Sequence, residues 1–324
     1  MDKGPSSQTV LVTGAAGFIA IHCVLKLLEN GYRVRGTLRS LARETQLRQI
    51  FARHVDVGDR LEFVITDLLK EDGWNEAVNG CEYVFHLALP FPFVPAENAR
   101  DGTLRVMKAS AAGGIKRVVL TSTMLAILRG HTTYNKTFDE SDWTNLEGST
   151  DAYVKSKTLA EHAAWHFIRE QDPKGQLELS VINPGLVLGP PLDREYLGSS
   201  AQFIRRILAG ENTNDLQGRV EVVDVRDVAS AHIAAMTNPI AAGKRYCCVA
   251  GVLWWQELIE ILDQHFASRG YKIHAQEPPN LVDRSSEFYD ISTKRIKQEL
   301  GWQPGSAEEA IVAMGESLIL NGKV

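Results

Sequence analysis

Along the first 190 residues, short apolar runs alternate with stretches whose apolar residues recur every third or fourth position. Thr9–Val12 is a brief apolar run closed by Thr13-Gly14 and reads as a strand. Phe18–Asn30 carries Ile19, Cys23 and Leu27 on one helical face and stops at Asn30-Gly31, a pair suited to a helix C-cap. The same pattern predicts strands at Tyr32–Leu38, Leu61–Ile65, Tyr83–Ala88, Arg117–Leu120 and Leu179–Ile182. Helices are predicted between them at Leu41–Phe51, Gly73–Val78, Thr103–Ala112 and Ala152–Glu170.

Strands separated by helices imply a parallel sheet covered on both faces, and right-handed crossovers make it a doubly wound, Rossmann-type α/β sheet. The alternation weakens after Gly189-Pro190-Pro191. Beyond it, Ser199–Leu208 and Trp255–Phe266 read as helices, Val220–Val223 as a strand followed by a helix near Val228–Met236, and Pro278-Pro279 as a loop. The expected organisation is a dinucleotide-binding domain over 1–189, with 220–240 returning to it. Most of 190–324 is expected to form a smaller substrate-binding domain.

Composition narrows the class. A hydrophobic content of 44%, a charged content of 23% and a net charge of −5 without long single-sign runs give no footprint for nucleic acid or an anionic membrane. No apolar run approaches the roughly 18 residues of a membrane span. Met1–Gln8 is short and polar, unlike a signal peptide, so a cytoplasmic protein is expected. Cys23, Cys81, Cys247 and Cys248 have no zinc-ligand spacing and read as small buried hydrophobes in a reducing compartment; no metal is expected.

The first chemical signal is Thr13-Gly14-Ala15-Ala16-Gly17-Phe18-Ile19-Ala20, between the first strand and the first helix. Gly14 allows a tight turn, Gly17 lets backbone approach a pyrophosphate, and Ala20 lets the helix pack on the sheet. The helix start then offers N–H groups and a partial positive charge to phosphates. At the end of the second strand, where an NAD site places a carboxylate on the ribose, the chain has Thr37-Leu38-Arg39-Ser40. A guanidinium there suits a 2′-phosphate, so NADP is the expected cofactor, with Arg43 or Arg35 as further sources of charge.

The second signal is Tyr153-x-x-x-Lys157, which a helix places on one face. A neighbouring ammonium lowers a phenol's pKa towards the working range of an acid–base group. None of the other seven tyrosines has lysine four residues later. The strand before this helix ends in Thr121-Ser122-Thr123, and hydroxyls at the carboxyl end of such a strand face the ligand crevice. Ser122 or Thr123 is therefore a candidate to bond a substrate oxygen.

With these pieces the chain resembles the extended short-chain dehydrogenase/reductases, in the branch of the dihydroflavonol, cinnamoyl-CoA and yeast-type aldehyde/ketone reductases. The matching segments are Thr13–Ala20, Val34–Arg39, Asp67-Leu68, Val84–Ala88, Val119–Thr123, Tyr153–Glu161, Asn183–Pro190 and Val223–Ala229. The resemblance implies Tyr153 as acid/base, Lys157 on the nicotinamide ribose and Thr123 as the hydroxyl partner, with Ser122 as second candidate. It implies Thr13, Gly14, Gly17, Phe18 and Ile19 at the phosphates, Arg39 at the 2′-phosphate, and Asp67 and Leu68 beside adenine. Ala88, Pro90, Pro184 and Val187 would line the nicotinamide end. Two departures fall near the substrate entrance. His86-Leu87-Ala88-Leu89-Pro90 replaces the usual hydroxyl with Leu89, and the loop from Phe91 to Asp101 reads as short.

Phe91, Phe93, Leu125, Leu186, Leu192, Tyr196 and Phe203 form a candidate pocket that points to an apolar or aromatic carbonyl substrate. His86, Trp254 and Trp255 read as structural. The expected activity is NADPH-dependent reduction of an aldehyde or ketone by a monomer or homodimer. Two alternatives are an NAD-dependent sugar-nucleotide epimerase/dehydratase, which Arg39 disfavours, and a non-catalytic NADP-binding regulator, which the Tyr/Lys pair disfavours.

Overall fold

An unbroken apolar strand needs cover on both faces, and the chain supplies it by threading helices between strands. The computed structural model describes residues 4–89, 95–132, 135–148, 150–172, 175–195, 198–273 and 288–324. In chain order the first half runs β1 (Thr9–Val12), α1 (Phe18–Glu29), β2 (Arg33–Leu38), α2 (Glu44–Ala52), β3 (Leu61–Ile65), α3 (Trp74–Val78), β4 (Tyr83–His86), α4 (Ala96–Ala112), β5 (Arg117–Thr121), α5 (Leu125–Leu128), β6 (Lys136–Phe138), α6 (Ala152–His166) and β7 (Glu178–Pro184). The second half runs β8 (Leu186–Leu188), α7 (Ser199–Leu208), β9 (Arg219–Asp224), α8 (Val225–Thr237), β10 (Lys244–Cys248), β11 (Gly251–Trp254), α9 (Trp255–Phe266), β12 (Tyr289–Ile291), α10 (Lys294–Leu300) and α11 (Ala307–Leu320).

Seven strands form one parallel sheet in the order β10-β7-β5-β4-β1-β2-β3. The chain winds outward from β1 through β2 to β3, then returns to β4 on the other side of β1. The reversal between β1 and β4 opens a crevice at the strands' carboxyl ends, where doubly wound sheets bind ligands. One face is filled by apolar residues of α1, α2 and α8, the other by those of α3, α4 and the end of α6. A third core joins α7, α9 and α11 to a three-stranded sheet ordered β11-β9-β8. Among the described residues no helix is long and apolar enough to cross a membrane.

The differences from the sequence pattern are local. The helix read from Thr103 begins at Ala96, so the last six residues of the stretch read as a short loop are its first turns. The helix at 152 ends at His166 and passes into a wider turn over Phe167–Gln171. Of 220–240, β9 joins the small sheet while α8 packs on α1 against the large one. The seventh strand, Lys244–Cys248, escapes the pattern because a buried Arg245 interrupts its apolar run. The helix Ala307–Leu320 carried a readable start. Ser306 Oγ accepts from Glu309 N–H at 3.1 Å and Glu309 Oε2 from Ser306 N–H at 2.8 Å, the reciprocal cap of an S-x-x-E sequence.

Candidate active site

The glycine loop is shaped by close backbone approach. Gly14 has φ +64°, and a Cβ there would lie 3.1 Å from the Ala88 Cβ. Gly14 N–H donates to Thr37 Oγ1 at 3.2 Å and Ala15 N–H to the Thr37 carbonyl at 3.0 Å, which ties the turn to β2. Gly36, beneath it in β2, admits no side chain, since a Cβ would stand 2.7 Å from Ala15 Cβ and 2.8 Å from the Phe63 ring. Gly17 precedes α1 in extended conformation with no side-chain cap, so the first N–H groups of α1 stay available to an anion. Phe18 and Ile19 follow, both half-buried, with Phe18 against Gly198 and His22.

Thr13 is buried, and its hydroxyl accepts N–H bonds from Leu87 and Ala88, each at 3.0 Å. Its own proton is then left for His86 Nδ1 at 3.0 Å, and His86 Nε2–H faces Thr103 Oγ1 at 3.3 Å. Burial pushes the imidazole down to about 3, helped by the charge of Lys157, so His86 is a neutral structural bridge. Thr13 thus pins the Ala88 segment over the loop and has no bond left to offer a phosphate. Ala88 sits directly above Gly14.

At the other end, Arg39 is exposed just past β2 and makes no hydrogen bond or ion pair among the described residues. Ser40 accepts the Ala42 N–H at 3.3 Å. The two auxiliary arginines are committed elsewhere. Arg43 is paired with Asp193, and Arg35 donates to Glu62 at 2.7 Å and to the carbonyls of Ala77 and Asn79 at 2.9 and 2.6 Å. Asp67 and Leu68 follow β3 on the same edge as Arg39. Asp67 Oδ1 accepts from Leu69 N–H at 3.0 Å, and Leu68 is buried against Gly102 of α4.

The reacting end is formed by β5, β7 and α6. Asp151 caps α6 by accepting the Val154 N–H at 2.8 Å, which starts the helix just before Tyr153. Lys157, one turn on, is buried and donates from Nζ to the Thr121 carbonyl at 2.8 Å, at the carboxyl end of β5. Burial lowers its ammonium to about 8, opposed by the charge of Glu161. Tyr153 differs from the expectation. Burial raises its phenol, with Asp151 adding in the same direction, while Lys157 gives its bond to Thr121.

The two hydroxyl candidates separate by their partners. Ser122 Oγ donates to the buried Glu161 carboxylate. Thr123 Oγ1 accepts the Leu125 N–H at 3.2 Å and donates its own proton to none of the described residues. Pro184 ends β7, and its carbonyl receives Met124 N–H at 2.8 Å; Val187 lies buried in β8. Gly185 between them carries no Cβ because one would meet the Glu221 carbonyl at 2.2 Å.

Pro90, Phe91, Phe93 and Tyr196 lie outside the described residues. Of the remaining pocket candidates, Leu125 is half-buried beside Thr123, while Leu186 and Phe203 pack onto the third core, Phe203 with its ring 5.6 Å from that of Trp255. Leu192 turns to the α1–α8 core. A cavity of about 580 Å³ between α1 and α8 is lined by His22, Lys26, Leu192 and Arg226 and by none of the glycine loop, Tyr153 or Lys157. Sequence reasoning did not single out the buried partners Glu161, Asn183, Arg245 and His232. The spacing Tyr153, Lys157, Glu161, each four apart on one helix, was the available signal for the first.

The residues fit a dinucleotide. The turn leaves a cradle that a Cβ at Gly14 would fill, α1 presents uncapped N–H groups, and Arg39 beyond β2 offers a guanidinium with no partner among the described residues. Residues 10–248 match the NAD dependent epimerase/dehydratase family. The chain is 38% identical over 273 residues to "Cinnamoyl-CoA reductase 1" of Petunia hybrida, covering 82% of this chain and 79% of that protein. It is 33% identical over 327 residues to "Tetraketide alpha-pyrone reductase 1" of Arabidopsis thaliana, covering 97% and 96%. Among solved structures, the yeast methylglyoxal/isovaleraldehyde reductase complexed with NADPH superposes with a TM-score of 0.85 at 26% identity, over 98% of this chain and 100% of that one. The chain belongs to the NAD dependent epimerase/dehydratase family, within the branch of NADP-dependent oxidoreductases to which the cinnamoyl-CoA reductases belong.

Proposed function

We propose that the protein reduces the carbonyl group of a small, largely apolar aldehyde or ketone to an alcohol, with NADPH as the reductant. The observation that carries this reading is the 2.8 Å bond from Lys157 Nζ to the Thr121 carbonyl, which seats the Tyr153–Lys157 face at the mouth of β5 beside the glycine-loop crevice. The dinucleotide, when bound, supplies the hydride. Tyr153 holds the proton that the new alkoxide takes. Its raised pKa keeps the phenol protonated at neutral pH, which suits reduction. Thr123 Oγ1, with its proton uncommitted, orients the substrate oxygen. Lys157, one helical turn from Tyr153, would turn its ammonium from the Thr121 carbonyl to the nicotinamide ribose when the dinucleotide is bound, and its charge would there favour proton release from the phenol. Arg39 holds the 2′-phosphate, which distinguishes NADPH from NADH.

The substrates for which these relatives are named range from cinnamoyl-CoA to methylglyoxal and isovaleraldehyde, which supports an activated or unhindered carbonyl rather than a sugar nucleotide. We read residues 1–189 together with α8 and β10 as the cofactor-binding part, and most of the remainder as the substrate-binding part. The test follows NADPH consumption against aromatic and aliphatic aldehydes and ketones, with NADH beside it. Turnover with NADPH well above NADH is expected. A protein that consumes no NADPH with any of these, and retains NAD through purification, would be an epimerase or dehydratase instead.

A further inference from the structure

Resting on that reading, we propose that Glu161 is a positioning residue for the reducing site: its buried carboxylate, braced by Arg245, fixes the strand ends that carry Thr123 and provides the counter-charge for Lys157. Glu161 is fully buried and accepts four bonds. Oε2 receives Ser122 Oγ and Asn183 Nδ2, the latter at 2.9 Å. Oε1 receives Arg245 Nε at 2.6 Å and Trp165 Nε1 at 3.3 Å. Asn183 Nδ2 also reaches the Thr123 carbonyl at 3.2 Å. One carboxylate on α6 therefore gathers the carboxyl ends of β5 and β7 and the first residues of β10, and through Asn183 it sets the peptide of the proposed catalytic hydroxyl.

Arg245 is itself immobilised. Nη1 donates to the carbonyls of Glu140 and Asp142 at 3.0 and 2.7 Å, and the guanidinium lies 3.7 Å from the centre of the Trp143 ring, which stacks on His162. Lys157 stands one turn before Glu161, beyond direct ion-pair contact, so the carboxylate acts on it through space. The other groups facing Lys157 carry little charge. β5 offers the Thr121 carbonyl, and β4 offers His86, which is neutral and bonded to the uncharged Thr103 of α4. On α6, Tyr153 keeps its proton, and His162, next to Glu161, is lowered by burial. The negative charge opposing the burial of Lys157 thus comes from Glu161.

A merely structural glutamate would leave the titration of Lys157 unmoved when replaced. Ligand-free protein carrying lysine isotope-labelled at the ε-carbon reports that titration by NMR, with the Lys157 resonance assigned by its loss in Lys157→Arg. The wild-type midpoint is expected at about 8. In Glu161→Gln it should fall by about one pH unit or more. The double variant Glu161→Gln/Arg245→Met removes the guanidinium left unpaired, and should move the same way by less. Glu161→Asp should restore most of the difference. If the Gln variants fold and Lys157 titrates at the wild-type midpoint, the proposal is overturned; if the single variant does not fold, the double variant decides. A wild-type protein that reduces no carbonyl, with the Lys157 midpoint still lower in the Gln variants, would sink the functional reading and leave the role of Glu161 standing.

Discussion

At the adenosine end of the cleft the protein works with backbone and space. Gly14 lies under Ala88, Gly36 under Ala15, and Arg39 is exposed with no partner among the described residues. At the reacting end the same sheet buries Lys157, Glu161 and Arg245, and each oxygen of the Glu161 carboxylate is shared by two donors. A region built from approach and free donors can be altered one residue at a time, because each contact stands alone. A region built from shared partners answers as a unit, since removing one member leaves another buried without its bond.

The largest effects should therefore come from the reacting end. Tyr153→Phe removes the proposed proton donor and should lower kcat at least about a hundredfold while leaving NADPH affinity near that of the parent protein. A phenylalanine variant with undiminished turnover would remove the chemistry from this face of α6. Thr123→Val should follow, with a loss of about tenfold or more in kcat and little change in cofactor affinity. Ser122→Ala should cost less activity and more stability, because its hydroxyl serves Glu161. The reverse ranking, by steady-state kinetics and thermal melts, would transfer the catalytic role to Ser122.

The adenosine end should respond more mildly and more selectively. Arg39→Ala removes charge-assisted bonds to a 2′-phosphate and should raise KM for NADPH by about tenfold or more, with KM for NADH nearly unchanged. Equal losses for both cofactors would mean that Arg39 shapes the loop rather than reading the phosphate. The exposure of its guanidinium predicts little change in melting temperature.

This contrast also explains what could be read from sequence. The glycine loop, Arg39 and the Tyr153–Lys157 pair stand in local spacings, so the chain states them directly. Features that depend on partners distant in sequence do not show. The choice between Ser122 and Thr123 turns on Glu161, some forty residues on, and Glu161 is held by Arg245 in a strand whose apolar pattern that arginine disrupts. Arg35 and Arg43 read as phosphate ligands only until Glu62 and Asp193 are brought beside them. The early start of α4 was hidden because Ala96–Asp101 is mostly polar, with little apolar periodicity to mark it.

Acid offers the finest test of the unit character of the reacting end. His232 sits under it. Its Nε2 accepts the Thr121 hydroxyl at 2.6 Å and its Nδ1–H donates to the Val228 carbonyl at 2.8 Å, so the ring is neutral with both nitrogens used. Burial pushes it down to about 4, and does the same to His22, at about 4, and His86, at about 3. In the unfolded chain each returns to the ordinary 6.5. The folded values are depressed, so each ring's contribution to stability is whole above pH 6.5 and is lost as pH falls towards about 4. Over that window the unfolded state binds more protons than the native one, and stability falls with falling pH. Each ring accounts for roughly 1.4 kcal/mol of that loss one pH unit below 6.5. His232→Asn keeps a small polar side chain and removes one of these protons. Its melting temperature should be lower than the parent's near neutrality, yet fall less between about pH 7 and pH 5.5, by a few degrees. Because Thr121 lends its carbonyl to Lys157, kcat in this variant should also drop, whereas KM for NADPH should hold. A parallel fall in melting temperature for both proteins would show that His232 is not a neutral strut beneath the lysine.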